Sequence, residues 1–255
     1  MMDSLPRFVV ADPTGNITVL VTDPVDISRQ AAVAAELFSA VPRCEQVGYV
    51  SLLPDSHQVS IRMSGGEFCG NATLSAAAFA CREYGLDSGS ISVLFDGISS
   101  PLTVAVQKTE TGTYSGRVQM PLPESCSSGT FLLGGREYFL PVVRFPGIIH
   151  ILLSEPVAEA DAEIAVRLWC HQLDVPALGL MQIRDDALTP LVYVRDVDSL
   201  YWEKSCASGT CAAAWAFSRG EEGPVLFSYR EPGGILSAEA DKVSLSLLGT
   251  VSFLD

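Results

Sequence analysis

The chain is short of positive charge, histidine and long apolar runs, and each shortage removes a class of function. It carries 16 Lys and Arg against 30 Asp and Glu, a net charge of −14 at pH 7. That balance repels nucleic acid and anionic membrane surfaces, which bind through clustered cations. No apolar stretch approaches the ~18 uninterrupted residues of a membrane helix. The best candidate, Leu140 to Leu153, is broken by Arg144, Pro146 and His150. Met1 to Pro13 lacks the basic-then-apolar pattern of a signal peptide. With 3 His and no Cys-x-x-Cys, the chain has neither a zinc-ribbon nor a thioredoxin-type pattern. Gly65 and Gly66 form no phosphate loop, since no Lys-Ser/Thr follows.

Cysteine is present: seven in number, an odd count. Free thiols in a reducing cytoplasmic compartment are the expected reading. Cys44, Cys81, Cys126, Cys170 and Cys211 read as small buried hydrophobes. Cys69 and Cys206 differ, because each opens one of two matching segments. Cys69-Gly70-Asn71-Ala72-Thr73 runs on through Ala76, Ala77 and Arg82. Cys206-Ala207-Ser208-Gly209-Thr210 runs on through Ala213, Ala214 and Arg219 in the same steps. Each Ala-rich run has helical composition, which puts each cysteine at a helix N-terminus. Free N–H groups and the helix dipole favour a thiolate there, so both thiols are expected to ionise more readily than ordinary cysteine.

The elements around the two cysteines repeat in order. The first half predicts strands at Phe8–Ala11 and Ile17–Thr22, then a helix capped by Asp26 and ending at Ala40. Strands follow at Glu45–Leu53 and Gln58–Met63, then the Cys69 helix, then Ile91–Phe95 and Leu102–Gln107. In the second half, strands Tyr138–Val143 and Ile148–Leu153 precede a helix from Ala160 to Leu173. Strands Leu180–Arg184 and Leu191–Val194, the Cys206 helix and strands from Val225 onward complete it. This is a duplicated domain plan, with the boundary expected in the weakly patterned stretch Thr109 to Ser128. The expected domains are 1–117 and 118–249. The fold class is α/β (α+β), in two similar domains.

Two cysteines at equivalent places suit stereoinversion. Removing a proton from one face of a carbon and returning one to the other takes two acid/base groups, and thiols titrate in a useful range. Backbone N–H groups after each cysteine, at Gly70, Asn71, Ala207 and Ser208, would then hold a substrate carboxylate. Two other readings compete. One is a Cys/His hydrolase with His150 as base, which leaves the second cysteine motif unexplained. The other is a non-catalytic binder of small amino acids.

Phe68-Cys69-Gly70-Asn71-Ala72 and Ser205-Cys206-Ala207-Ser208-Gly209-Thr210 resemble the two signatures of the diaminopimelate epimerase/proline racemase superfamily. Thr14-Gly15-Asn16 is similar to that family's substrate-contacting Gly-Asn, and Gly147-Ile148-Ile149-His150 to its Gly-Asn-Pro-His. The resemblance implies a cofactor-independent isomerase with no metal, using one cysteine from each of two domains. It also implies that each domain is a curved mixed sheet or barrel around a central helix, with a last strand at about 250–255 joining the first domain. Its substrate would be a free amino acid, with no nucleic acid or membrane partner; a homodimer stays open. The diaminopimelate epimerases place a Glu-Arg pair where this chain has Val197 and Asp198, and an Asn where it has Ile148. A second zwitterionic end would lack its partners, which disfavours diaminopimelate. The form Gly65-Gly66-Glu67-Phe68-Cys69 with Ser205-Cys206-x-Ser208-Gly209-Thr210 is most similar to the histidine racemases of opine-metallophore biosynthesis. That likeness adds Glu45 to Asn16 and His150 as substrate-site residues. Glu67 and Glu203, near each cysteine, are expected to face solvent.

Overall fold

The structure is a computed structural model and describes residues 5–53, 57–66, 68–195 and 198–254. Glu67 and Val197 lie outside the described residues. The elements in order are β1 Phe8–Asp12, β2 Thr18–Val21, α1 Ile27–Ala40, β3 Gln46–Leu53, β4 Gln58–Met63, α2 Gly70–Glu83, β5 Ser88–Phe95, β6 Leu102–Lys108 and β7 Tyr114–Gln119. Then come β8 Ser125–Leu133, β9 Arg136–Phe145, β10 Ile148–Leu153, α3 Glu159–Gln172, β11 Ala177–Arg184, β12 Ala187–Val194, β13 Ser199–Trp202, α4 Ala207–Ser218, β14 Val225–Glu231, β15 Gly234–Ala240 and β16 Leu245–Leu254. Two compact units result: Met1–Gln119 with Leu248–Asp255, and Met120–Leu247.

In the first unit the strands run β1-β2-β3-β4-β5-β6-β7-β16, and β16 returns to pair antiparallel with β1 through Val10 opposite Leu254. The ring is therefore a closed barrel, which leaves no sheet edge. α2 passes through it, touching β2 to β7. Every residue of α2 from Gly70 to Cys81 is buried. A helix covered on all sides must be apolar or small all round, and five of these twelve residues are alanine. α1 covers the barrel's outside. Asp26 caps it by accepting the Ser28 N–H at 2.9 Å, and Gln30, Val33, Ala34 and Leu37 form the buried stripe. That stripe packs on Val19, Val21, Val47 and Tyr49. Leu37 is fully buried, so Leu37→Ala should cost about 2–5 kcal/mol.

The second unit repeats the plan, in the order β8-β9-β10-β11-β12-β14-β15-β16 with β13 on β12. α4 touches β9, β10, β11, β14 and β15, and α3 packs through Ala162, Ala165, Val166, Trp169 and Cys170. β10 shows why its sequence is apolar almost throughout. Ile149, Ile151 and Leu153 face the α3 core, while His150, on the opposite face by strand alternation, reaches α4.

The weakly patterned stretch Thr109 to Ser128, where the domain boundary is expected, holds β7 and the start of β8. β8 reads Ser-Cys-Ser-Ser-Gly-Thr-Phe-Leu-Leu, and only its Phe131 and Leu133 are buried. Its pairing with β9 along all nine residues makes it a strand without the apolar alternation that sequence reading relies on.

Candidate active site

Cys69 is the N-cap residue of α2, in extended conformation with φ −135° and ψ 116°. Its sulfur accepts the Ala72 N–H at 3.3 Å and donates to Gln46 Oε1 at 3.0 Å. The Thr73 hydroxyl, one turn on, donates to the Cys69 carbonyl at 2.8 Å. Asn16 is 1% exposed and follows a turn in which Gly15 N–H donates to Asp12 Oδ1 at 2.5 Å. Its Nδ2 donates to Glu45 Oε2 at 2.7 Å. Glu45 therefore meets Asn16, while the next residue, Gln46, meets the sulfur. Gln46 is a site residue that sequence reading missed. A polar residue opening an otherwise apolar strand was its one visible signal. Gly70 and Asn71 are buried in the first turn of α2.

Cys206 occupies the same place on α4, with φ −130° and ψ 102°. Its sulfur lies 3.7 Å from Ser208 Oγ, and that hydroxyl lies 2.9 Å from His150 Nε2. His150 is fully buried, and burial pushes its pKa down to about 3, so the ring is neutral. Its Nδ1 has no hydrogen-bond partner among the described residues. The ring lies over Gly179, its partner in the parallel β10–β11 pair. A Cβ on Gly179 would come within 2.4 Å of His150 Nδ1, so the glycine makes room for the imidazole. The glycine of the Ser208-Gly209-Thr210 motif has a similar reason: a Cβ there would lie 2.1 Å from Met181 Sδ.

Behind Cys206 stands Glu231, the last residue of β14 and 6% exposed. Its Oε2 accepts the Cys206 N–H at 2.7 Å, and its Oε1 accepts the Thr210 hydroxyl. Burial pushes the Glu231 carboxyl up to about 8, against the pull of these two donors. Glu203 is half-buried and acts on Cys206 through a hydrogen bond and its charge.

Two expectations are corrected here. Glu203 does not face open solvent. Nor is Cys206 an easily ionised thiol: burial, with Glu203 and Glu231 beside it, raises its pKa well above the ordinary value, and only the Gly209 N–H opposes them. The helix terminus is outweighed by desolvation and two like charges. Among the described residues, no three His, Cys, Asp or Glu side chains gather as a metal-ligand group.

Each unit thus opens its central helix with an N-cap cysteine. The model for the histidine racemase CntK N-terminal domain matches residues 6–251. The chain belongs to the histidine racemase family. It is 28% identical over 241 residues to a histidine racemase of Staphylococcus aureus, covering 89% of this chain and 86% of that protein. With a histidine racemase of Fusobacterium nucleatum it shares 31% over 225 residues, covering 82% and 80%. Among solved structures, a predicted epimerase from Pseudomonas aeruginosa superposes with a TM-score of 0.70 at 16% identity, covering 98% of this chain and 97% of that one. A probable proline racemase from Agrobacterium radiobacter gives 0.63 at 10% identity, covering 97% and 92%. These two likenesses concern the fold alone.

Proposed function

We propose that this family member racemises histidine by a two-base mechanism without a cofactor, with Cys69 and Cys206 as the acid/base pair. The observation that carries the reading is the repeated placement of a cysteine as N-cap of a buried central helix in each unit. The names of the relatives support histidine as the substrate. One thiolate removes the α-proton and the other thiol returns a proton to the opposite face. The first-turn N–H groups, at Gly70 and Asn71 and at Ala207 and Ser208, bind the carboxylate and stabilise the carbanion-like transition state. Asn16 and Glu45 belong to the substrate site beside Cys69, and His150 acts on Cys206 through Ser208.

Diaminopimelate is the weaker substrate. Where its epimerases carry an Arg, Asp198 is exposed and paired with Arg167. The cytoplasm is the proposed compartment, on the free thiols the mechanism needs. Among the described residues, no helix is long and apolar enough to cross a membrane.

The test is incubation of the dialysed protein with L-histidine in D₂O. Formation of D-histidine, with deuterium at the α-carbon, supports the reading; no exchange with histidine or any other amino acid of a panel overturns it.

A further inference from the structure

The two cysteine helices begin alike but are backed differently. The last residue of the strand after each helix is Phe95 in the first unit and Glu231 in the second. Phe95 packs edge-on against Phe68, the residue before Cys69, at 5.0 Å between ring centroids. Glu231 instead presents a buried carboxyl to Cys206. The equivalent threonines follow this difference: Thr73 donates to its own helix at the Cys69 carbonyl, whereas Thr210 donates out of its helix to Glu231.

Glu231 thus holds both ends of the first turn of α4, the Cys206 N–H and the Thr210 hydroxyl. The ionisable groups facing this cluster are acidic apart from His150, which reaches Cys206 only through the Ser208 hydroxyl and is kept neutral by burial. Glu203 acts on both Cys206 and Glu231 from the segment before α4, and Cys211 meets the Glu231 charge from inside the helix. The nearby cations are engaged or exposed elsewhere: Arg230 forms its ion pair with Asp186 at the surface, and the Lys204 side chain is exposed. A negative charge at Cys206 therefore competes with one at Glu231. The Cys69 sulfur touches the neutral amide of Gln46 and the Ala72 N–H.

We propose that Glu231 is a positioning residue for Cys206: its buried carboxyl ties down the mouth of α4 and opposes loss of the Cys206 proton, so that the second cysteine rests protonated and enters the reaction as the acid toward one enantiomer, serving as base in the reverse direction. The inference rests on the two-cysteine reading of the site and deepens it, by giving the two thiols unequal resting states.

The test labels the protein with iodoacetamide across a range of about pH 6 to 10, where thiols become nucleophilic. Mass spectrometry of the Cys69 and Cys206 peptides gives each site its own midpoint. In the wild type, the Cys206 midpoint should lie above that of Cys69. Glu231→Gln should lower the Cys206 midpoint by about one pH unit, as removal of a like charge at short range does, and leave Cys69 in place. Glu231→Asp should keep the Cys206 midpoint near that of wild type. A Cys206 midpoint unchanged in folded Glu231→Gln overturns the proposal. So do coincident midpoints in the wild type, a comparison that needs no variant to fold. The labelling does not depend on turnover, so failure of histidine racemisation would count against the functional reading and leave the Glu231 result to be judged by itself.

Discussion

His150 Nε2 lies 2.9 Å from Ser208 Oγ, and the same hydroxyl oxygen lies 3.7 Å from Cys206 Sγ. Because the buried imidazole is neutral, it orients the serine hydroxyl and adds no charge beside the thiol. Ser208→Ala should therefore lower kcat by roughly tenfold, since it removes an orienting hydrogen bond and no reacting group. The His150 ring resonances should hold their neutral positions as pH falls through 6.5 and move only toward about 3. NMR of ring-labelled protein reads this directly, and titration near 6.5 would contradict the burial of the ring.

Each cysteine has a separate duty in the two-base scheme. Cys69→Ser and Cys206→Ser should each reduce racemisation by about 10²–10⁴-fold or more, because a serine hydroxyl is a poor base at neutral pH. Cys81→Ser and Cys126→Ser should leave turnover nearly intact. Chiral chromatography of histidine after incubation provides the measurement. Substantial turnover by either of the first two variants would end the scheme.

Gln46 is uncharged and touches the Cys69 sulfur at 3.0 Å. Gln46→Glu keeps the shape but adds a negative charge there, which disfavours the thiolate. The pH at which kcat/KM reaches half its plateau should rise by about one unit, and kcat/KM at neutral pH should fall about tenfold. An unchanged profile would show that Cys69 does not act as a base.

The two glycines that admit close neighbours should not respond equally. An added methyl at Gly179 meets the His150 ring, which its hydrogen bond to Ser208 holds in place, and also the Met181 methyl at 2.8 Å. At Gly209 the methyl meets the thioether of Met181, a flexible side chain. Gly179→Ala should cost about 1–3 kcal/mol and Gly209→Ala less, with Met181→Ala relieving the second while the clash with His150 persists in the first. Urea unfolding of the single and double variants distinguishes the two cases.

Stability should depend on pH through two buried groups of opposite sign. The folded pKa of His150, about 3, lies below its ordinary 6.5. The contribution of its neutral ring is present above 6.5 and drains away as pH falls. Glu231, at about 8, lies above its ordinary 4.5. Its contribution is complete below 4.5 and drains as pH rises through 8. The stability of Glu231→Gln relative to wild type should therefore improve steadily from acid to mildly alkaline pH, by a few kcal/mol at most at ~1.4 kcal/mol per unit. Denaturant midpoints over that range check the sign.

What was legible in the sequence was legible for physical reasons. α1 showed itself through Asp26 and the buried spacing of Gln30, Val33, Ala34 and Leu37. The cysteine helices showed themselves through repetition and alanine, the residue that lets a helix be surrounded. The closing of the last strand onto β1 was read from the resemblance alone. β13, only Ser199–Trp202, is too short to carry a pattern. Glu231 sits before Pro-Gly-Gly and reads as a solvated charge at a turn; only the β14–β15 hairpin packed on α4 buries it. Gln46 shares its neighbourhood with Glu45, and which of the two would meet the sulfur depended on where the strand began. The thiol environment was misjudged at Cys206 because a helix terminus can be read from sequence, whereas desolvation arises only from packing.

The return of β16 to β1 also orders events during synthesis. The residues of the second unit, Met120–Leu247, are contiguous, and the first unit needs Leu248–Asp255 to complete its ring. The first unit therefore cannot close its ring before the residues of the second have been made. Until β16 arrives, β1 and β7 stand without the neighbour that joins them, leaving unpaired edges open to wrong partners. The half of the protein begun first must wait for the whole of the other half to be made before it can close.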